Sequence, residues 1–206
     1  LFDLAARGFQ TSGFDFSPAA VQWAREQALH RGLDCRFVEM DLRDKQSTIR
    51  VFEENPDLEA VIHFAAYKAV GESVEKPLEY YQNNVAGTRN VLEACLRGGA
   101  AEFVLISTDK AVHPVNIMGA TKRLAELVTC AYNTRQGLRT AIVRFGNVIG
   151  SNILDTLLPI GLAAVLSEVA VEAAAAHAVN NRDDNRYKNT DKYMHKLVLF
   201  RNSILY

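Results

Sequence analysis

Few features of this sequence are extreme, and what it has little of already narrows the reading. Cysteine is scarce: Cys35, Cys95 and Cys130 are far apart, odd in number and never spaced as Cys-x-x-Cys. That excludes a disulfide framework and a thiolate metal site, and it reads as three reduced core thiols in a cytoplasmic protein. No apolar run reaches the ~18 residues that a membrane helix needs. No basic-then-apolar leader opens the chain. Neither sign of charge dominates, because 23 Lys and Arg face 24 Asp and Glu for a net charge of −1. Such a balance supplies no overall field for nucleic acid or an anionic membrane. Glycine and proline, 12 and 5 of 206 residues, are too few for a collagen-like or disordered chain. No internal repeat is visible. What is left is a globular composition, 49% hydrophobic, at a length that suits one domain with or without an appendage.

What is present is an alternation of helices and strands. Leu1–Gly8 reads as the end of a helix and Gln10–Asp15 as a short strand ending in an acid. Ser17-Pro18 is an N-cap with proline at the first helical position. The helix that follows puts Val21, Ala24 and Ala28 on one face and stops near Gly32. Then come a strand Cys35–Met40 closed by Asp41, a helix Thr48–Glu54 stopped by Asn55-Pro56, and an apolar strand Ala60–Ala66 of the buried parallel kind. A loop leads to a long helix, Leu78–Arg97, and a strand Phe103–Ile106. The helix Ile117–Arg135 carries Leu124, Leu127, Val128 and Ala131 at the spacing of a buried stripe, and Thr140–Arg144 is a last strand. This order predicts an α/β fold, a doubly wound parallel sheet. Ligands of such sheets bind outside the carboxyl ends of the strands. Asp15, Asp41, His63–Ala66, Ser107–Lys110 and Arg144–Asn147 are therefore expected along one edge. Beyond Ser151 the pattern changes: Ile153–Ala178 reads as Ala-rich helix, Asn180–Lys196 as a polar linker and Leu197–Tyr206 as a short apolar patch.

Five runs carry a family resemblance. His63-Phe-Ala-Ala-Tyr-Lys-Ala-Val-Gly-Glu-Ser73, Lys76-Pro-Leu-Glu-Tyr-Tyr81 and Asn83-Asn-Val-Ala-Gly-Thr88 resemble the nucleotide-sugar 4-epimerases, which are extended short-chain dehydrogenases. Ser107-Thr-Asp-Lys-Ala-Val-His-Pro-Val-Asn-Ile-Met-Gly-Ala-Thr-Lys122 and Val143-Arg-Phe-Gly-Asn-Val148 resemble their relatives, the nucleotide-sugar 4,6-dehydratases of polysaccharide biosynthesis. The resemblance spans residues 57–151 and implies a Rossmann-like fold binding NAD, with NADP the alternative. It also implies a nucleotide-sugar substrate, a UDP-N-acetylhexosamine in the dehydratase reading, and a homodimer paired through Leu78–Arg97 and Ile117–Arg135.

The family's usual Tyr-x-x-x-Lys pair falls here on Met118 and Lys122. A thioether exchanges no proton, so Met118 is neither acid nor base. Some dehydratases of this type carry methionine there and keep the Thr-Asp-Lys triplet. By that resemblance Thr108 bonds the C4 oxygen, Asp109 protonates the leaving C6 hydroxyl, Lys110 takes the C5 proton and Lys122 orients the nicotinamide ribose. Asp15, Asp41 and Leu42 would meet the adenosine half of the cofactor, and Phe64, Ala65 and Ala66 the nicotinamide half. Lys68 and Asn147 would face the substrate. His63 supports its strand end in this reading, and His113 is an exposed loop residue.

Residues 1–151 are thus expected to form an NAD(P)-binding domain lacking its first strand and glycine-rich turn, with an exposed sheet edge where that strand belongs. Residues 152–206 match no part of the family's substrate lobe. Residues 1–44 also resemble S-adenosylmethionine-dependent methyltransferases, through Gly13-Phe-Asp-Phe-Ser-Pro18 and Gly32-Leu-Asp-Cys-Arg-Phe-Val-Glu-Met-Asp41. Four readings therefore stand: a dehydratase, a 4-epimerase favoured by Lys68–Tyr81, a catalytically silent domain, and a methyltransferase. A fragment, a frameshifted product and a composite all fit the mixture of motifs.

Overall fold

The computed structural model describes residues 1–133, 135–146 and 196–200. Helix α1 (Phe2–Ala6) and strand β1 (Gln10–Asp15) lead to α2 (Pro18–His30), whose cap Ser17 accepts the Ala20 N–H through its hydroxyl. Strand β2 (Cys35–Glu39) follows, then α3 (Lys45–Glu53). Helix α3 begins three residues before the expected Thr48, because the Asp44 carboxylate accepts the N–H groups of Gln46 and Ser47 and so caps a polar first turn.

Strand β3 (Ala60–His63) is wholly buried and shorter than the expected Ala60–Ala66. Past His63 the chain leaves the sheet, and the backbone of Tyr67 bonds instead to the side chain of Asn84. The expected loop after it contains a helix, α4 (Val70–Glu75), pinned by the buried Tyr80 hydroxyl, which donates to Ala69 O at 2.7 Å. The predicted long helix is three consecutive pieces: α5 (Pro77–Tyr81), a π turn (Gln82–Gly87) and α6 (Thr88–Gly98). Strand β4 (Glu102–Thr108), a 3₁₀ turn (Asp109–Ala111), α7 (Ile117–Tyr132) and β5 (Arg139–Phe145) follow.

Among the described residues the sheet has six strands in the order β2-β1-β6-β3-β4-β5, and each pairing between them is parallel. Its central member β6 (Lys196–Phe200) pairs Lys196 with Gln10 on one side and Leu197 with Ala60 on the other. The gap expected between β1 and β3 is therefore filled, and by a segment read as tail rather than sheet. Four apolar residues after Lys196, too short to show a period, are indistinguishable in sequence from a surface patch. The sheet also takes a strand from beyond residue 151, where the dinucleotide-binding domain was expected to end. The Ala-rich stretch 153–178 and the greater part of the polar stretch lie outside the described residues.

The main core lies where α3, α6 and α7 meet the sheet, with Phe52, Val61, Val91, Leu92, Phe103 and Leu138 among its buried members. A second cluster of Leu4, Ala60, Ile62 and Val104 occupies the other face, so the strand alternation feeds two layers. Two expectations about burial fail. Cys95 is buried, but Cys35 is half-buried and Cys130 exposed, so only one thiol belongs to the core. In α7 most of the expected stripe faces outwards: Leu124 and Leu127 are 40% and 50% exposed and Ala131 is exposed, while Val128 alone of the four packs against the core. The buried face carries Met118, Thr121, Lys122, Ala125, Glu126 and Thr129. Polar side chains can take the inward face because each finds a partner there, which hydrophobic periodicity does not register.

Candidate functional site

The order of neighbours in the sheet reverses at β6: β1 and β2 lie on one side, β3, β4 and β5 on the other. Open α/β sheets bind ligands at such a switch point, beyond the carboxyl ends of the strands. Asp15 ends β1 there, 8% exposed, and its Oδ1 accepts the Ser17 N–H at 2.8 Å. Asp41 follows β2 and is held by its neighbour: Arg43 donates to both carboxylate oxygens, and that hydrogen bond keeps the Asp41 carboxyl below its ordinary range. Leu42 is buried against Gly87, where a Cβ would meet its Cδ1, and its carbonyl accepts from Asn90 Nδ2.

Past β3, Phe64 and Ala66 are half-buried, Ala65 is buried and Lys68 is exposed. His63 is buried, and its Nε2 lies 3.0 Å from Thr88 Oγ1. Burial, aided by the charge of Lys122, pushes its imidazole down to about 3, so His63 is neutral and supports the strand end. His113 is exposed, as the sequence suggested.

The end of β4 holds the Thr-Asp-Lys turn. The Thr108 hydroxyl donates to Asp109 Oδ1 at 2.9 Å, and Lys110 Nζ donates to the same oxygen at 3.2 Å. Those two bonds, the hydroxyl's first, hold Asp109 below the ordinary carboxylate range. Helix α7 comes close beneath the turn: a Cβ on Gly119 would lie 2.5 Å from the Lys110 carbonyl oxygen. Only glycine permits that approach. One turn apart on the buried face of α7 are Met118 and Lys122. Lys122 donates through Nζ to the Ile106 carbonyl, and burial lowers its ammonium to about 8.

Beneath them lies Glu126, 1% exposed, accepting from Ser107 Oγ at 2.6 Å, from Arg123 at 2.8 Å and from two nitrogens of Arg144 at 2.8 and 2.6 Å. Burial alone would raise its carboxyl, but the bonds from Arg144, Ser107 and Arg123 outweigh it and hold it at about 2. Sequence reasoning missed Glu126, Asn83 and Asn84 as members of this edge. The signals were the family-like run Asn83–Thr88, read without a role for its asparagines, and the presence of two adjacent asparagines in mid-helix, where neither favours helix. Asn147 lies outside the described residues.

The parallel sheet, its switch point, the acids after β1 and β2 and the Lys122 helix packed on the β4 turn define a Rossmann-fold protein of the short-chain dehydrogenase type. The chain belongs to the family described as polysaccharide biosynthesis protein, whose model matches residues 19–154. That match runs through most of the stretch that resembles methyltransferases. Among relatives, the Staphylococcus aureus capsular polysaccharide biosynthesis protein CapD is 37% identical over 161 residues, 77% of this chain and 26% of that protein. A Campylobacter jejuni UDP-N-acetylglucosamine 4,6-dehydratase (inverting) is 38% identical over 119 residues, 56% of this chain and 35% of that protein. Among solved structures, the UDP-glucose 4-epimerase of Bifidobacterium longum in complex with NAD+ and UDP superposes with a TM-score of 0.60. It is 26% identical, over 69% of this chain and 47% of that one. The chain thus spans a quarter to a third of the length of these two curated relatives.

Proposed function

We propose that this chain carries the dinucleotide-binding and proton-transfer core of an NAD-dependent nucleotide-sugar 4,6-dehydratase, acting on a UDP-N-acetylhexosamine in polysaccharide biosynthesis. One observation carries the reading: Met118 stands one turn before Lys122, while in the turn that follows β4 an acid and an amine, Asp109 and Lys110, are already bonded to each other. The residues present fit the cofactor. Asp15, nearly buried beside the switch point, suits a ribose hydroxyl, and Phe64–Ala66 with Lys122 form the wall of the nicotinamide half. NAD held by these residues would supply the hydride acceptor for C4 of the sugar and the hydride donor for C6.

At rest Asp109 is a carboxylate paired with the Lys110 ammonium. Dehydration needs the opposite arrangement, a carboxylic acid and a free amine. A proton passing from Lys110 Nζ to Asp109 Oδ1 across their 3.2 Å contact produces that pair without proton uptake. A sugar that excludes water from the turn favours the neutral pair. Lys110 then takes the C5 proton as Asp109 protonates the C6 oxygen, the C6–O bond breaks and water departs. The C4 hydroxyl releases its proton to solvent past Thr108 as hydride is lost, and C5 takes one proton from solvent once hydride has reached C6, so Asp109 and Lys110 end the turnover as the ion pair. The Thr108 hydroxyl must leave Asp109 to reach the C4 oxygen.

The test is incubation of the full chain with NAD and UDP-N-acetylglucosamine, followed by NMR for a 4-keto-6-deoxy sugar. Formation of the ketone, and its loss in Asp109→Asn, is the expected result. No ketone at any NAD concentration would sink the reading. A 4-epimerase is disfavoured because it returns hydride to C4 and leaves the Asp109–Lys110 pair without a task, while Met118 stands where its usual tyrosine would.

The same reading includes a homodimer. Pro77, Leu78, Tyr81, Ile117, Ala120 and Leu124 form an apolar groove between α5 and α7, and Leu78 is 76% exposed. A second copy docked there about a two-fold axis would cover Leu78 and Leu124 of both chains. Light scattering should give twice the 22.8 kDa chain mass, and a monomer mass counts against it.

A further inference from the structure

The π turn Gln82–Gly87 interrupts a run of helix that is otherwise continuous from Pro77 to Gly98. Such turns insert a residue at some cost to the helix and are common at functional sites. This one turns both Asn83 and Asn84 inwards, to 2% and 1% exposure. The Asn84 amide makes four hydrogen bonds. Its Oδ1 accepts the Tyr67 N–H at 2.7 Å and Asn83 Nδ2 at 3.0 Å. Its Nδ2 donates to the Tyr67 carbonyl at 3.1 Å and to Thr121 Oγ1 at 3.1 Å. One side chain thus satisfies both backbone groups of a residue that has left the sheet, as a neighbouring strand would.

The backbone of the same residue is tied as well. The Thr88 hydroxyl donates to the Asn84 carbonyl at 2.7 Å, which leaves its oxygen to accept from His63 Nε2 at 3.0 Å. The Thr121 hydroxyl is likewise spent on the Met118 carbonyl at 2.9 Å, leaving a lone pair for Asn84. His63 and Tyr67, the two ends of the Phe64–Ala66 segment, are therefore both anchored to one helical turn. Thr121, the residue before Lys122, is anchored to the same turn.

We propose that Asn84 is a positioning residue that sets the Phe64–Ala66 wall and Lys122 relative to each other, and with them the nicotinamide end of the dinucleotide site. This rests on the NAD reading above. Asn84 touches none of the reacting atoms and acts through Tyr67 and Thr121. A purely structural network would stabilise the fold without linking these two elements to cofactor binding.

The experiment uses the full chain with Thr121→Val, Thr121→Ser and Asn84→Ala. Hydrogen exchange of the Tyr67 amide is read without cofactor, and binding of NADH is read by its fluorescence. Thr121 does not touch Tyr67, yet Thr121→Val should speed Tyr67 exchange by at least tenfold, while Thr121→Ser stays within twofold of the parent. Thr121→Val and Asn84→Ala should weaken NADH by tenfold or more, with Thr121→Ser restoring it. Unchanged Tyr67 protection in Thr121→Val overturns the coupling. Faster exchange with unchanged NADH affinity and fluorescence overturns the positioning role. Should Asn84→Ala fail to fold, the two Thr121 variants decide alone. A parent chain that binds no NADH instead refutes the NAD reading, and the exchange result still judges the coupling.

Discussion

The two ends of the strand edge are built by different means. At the β1–β2 end each acid is satisfied by a residue two positions on, Asp15 by Ser17 and Asp41 by Arg43. At the β3–β4 end the partners are distant in the chain: His63 meets Thr88, Asn84 meets Tyr67 and Thr121, and Glu126 meets Ser107 and Arg144. A local bond is nearly formed in any chain that turns there, and it stabilises the turn more than the fold. A distant bond exists only once the fold is complete, so its loss is felt by the whole domain. The edge thus joins a lightly held end to a rigid one, and on the rigid end the Thr108–Lys110 turn is itself held by bonds between adjacent residues.

That contrast breaks most visibly at Glu126. Glu126→Gln removes the charge from a buried group facing two arginines, and breaking a buried ion pair costs about 3–5 kcal/mol. The lower figure applies here, because Arg123 and Arg144 keep 42% and 39% side-chain exposure. A urea midpoint that barely moves would show the rigid end to be no more than surface electrostatics.

Acid should sharpen the same contrast. Glu126 titrates near 2 in the fold against 4.5 in the open chain, so its contribution is complete above 4.5 and is lost as pH falls toward 2. His63 titrates near 3 against 6.5 and must stay neutral to remain buried, so stability also drains away as pH falls from 6.5 toward 3. Stability measured against pH should therefore decline from 6.5 downwards, and less steeply below 4.5 in Glu126→Gln. A flat profile down to pH 4 would contradict the buried neutral histidine.

The smallest effect belongs to the other end. Asp41→Asn breaks an ion pair whose side chains are both 38% exposed, and such pairs are worth about 0–1 kcal/mol. The thermal midpoint should hardly change. A loss comparable to that of Glu126→Gln would erase the distinction between the two ends.

The same division explains what could be read from the sequence. The Ser17 cap, the acid closing β1, the β4 strand and the Thr-Asp-Lys turn depend on neighbours and were legible from residue type and spacing. Helix α7 was legible as a helix, but its orientation was not. Leu124 and Leu127 outrank Lys122 and Glu126 on any hydrophobic scale, and only the distant Ile106 carbonyl and Arg144 reverse the preference. The π turn escaped for the same reason, since Asn84 turns inwards to meet Tyr67 and Thr121. The place of β6 was beyond any window of sequence, because its neighbours are residues 10–14 and 60–63.

That last placement has a consequence for how the molecule is made. A ribosome delivers β1, β2, β3, β4 and β5 long before it delivers residues 196–200. In the finished sheet β6 is the neighbour that β1 and β3 share, so without it the groups β2-β1 and β3-β4-β5 have no strand between them. The contacts that join them are among the longest in sequence, and long-range closure is slow. Of the described strands, the one made last joins the other five into a single sheet, so a partly made chain exposes more strand edge than one that has reached residue 200.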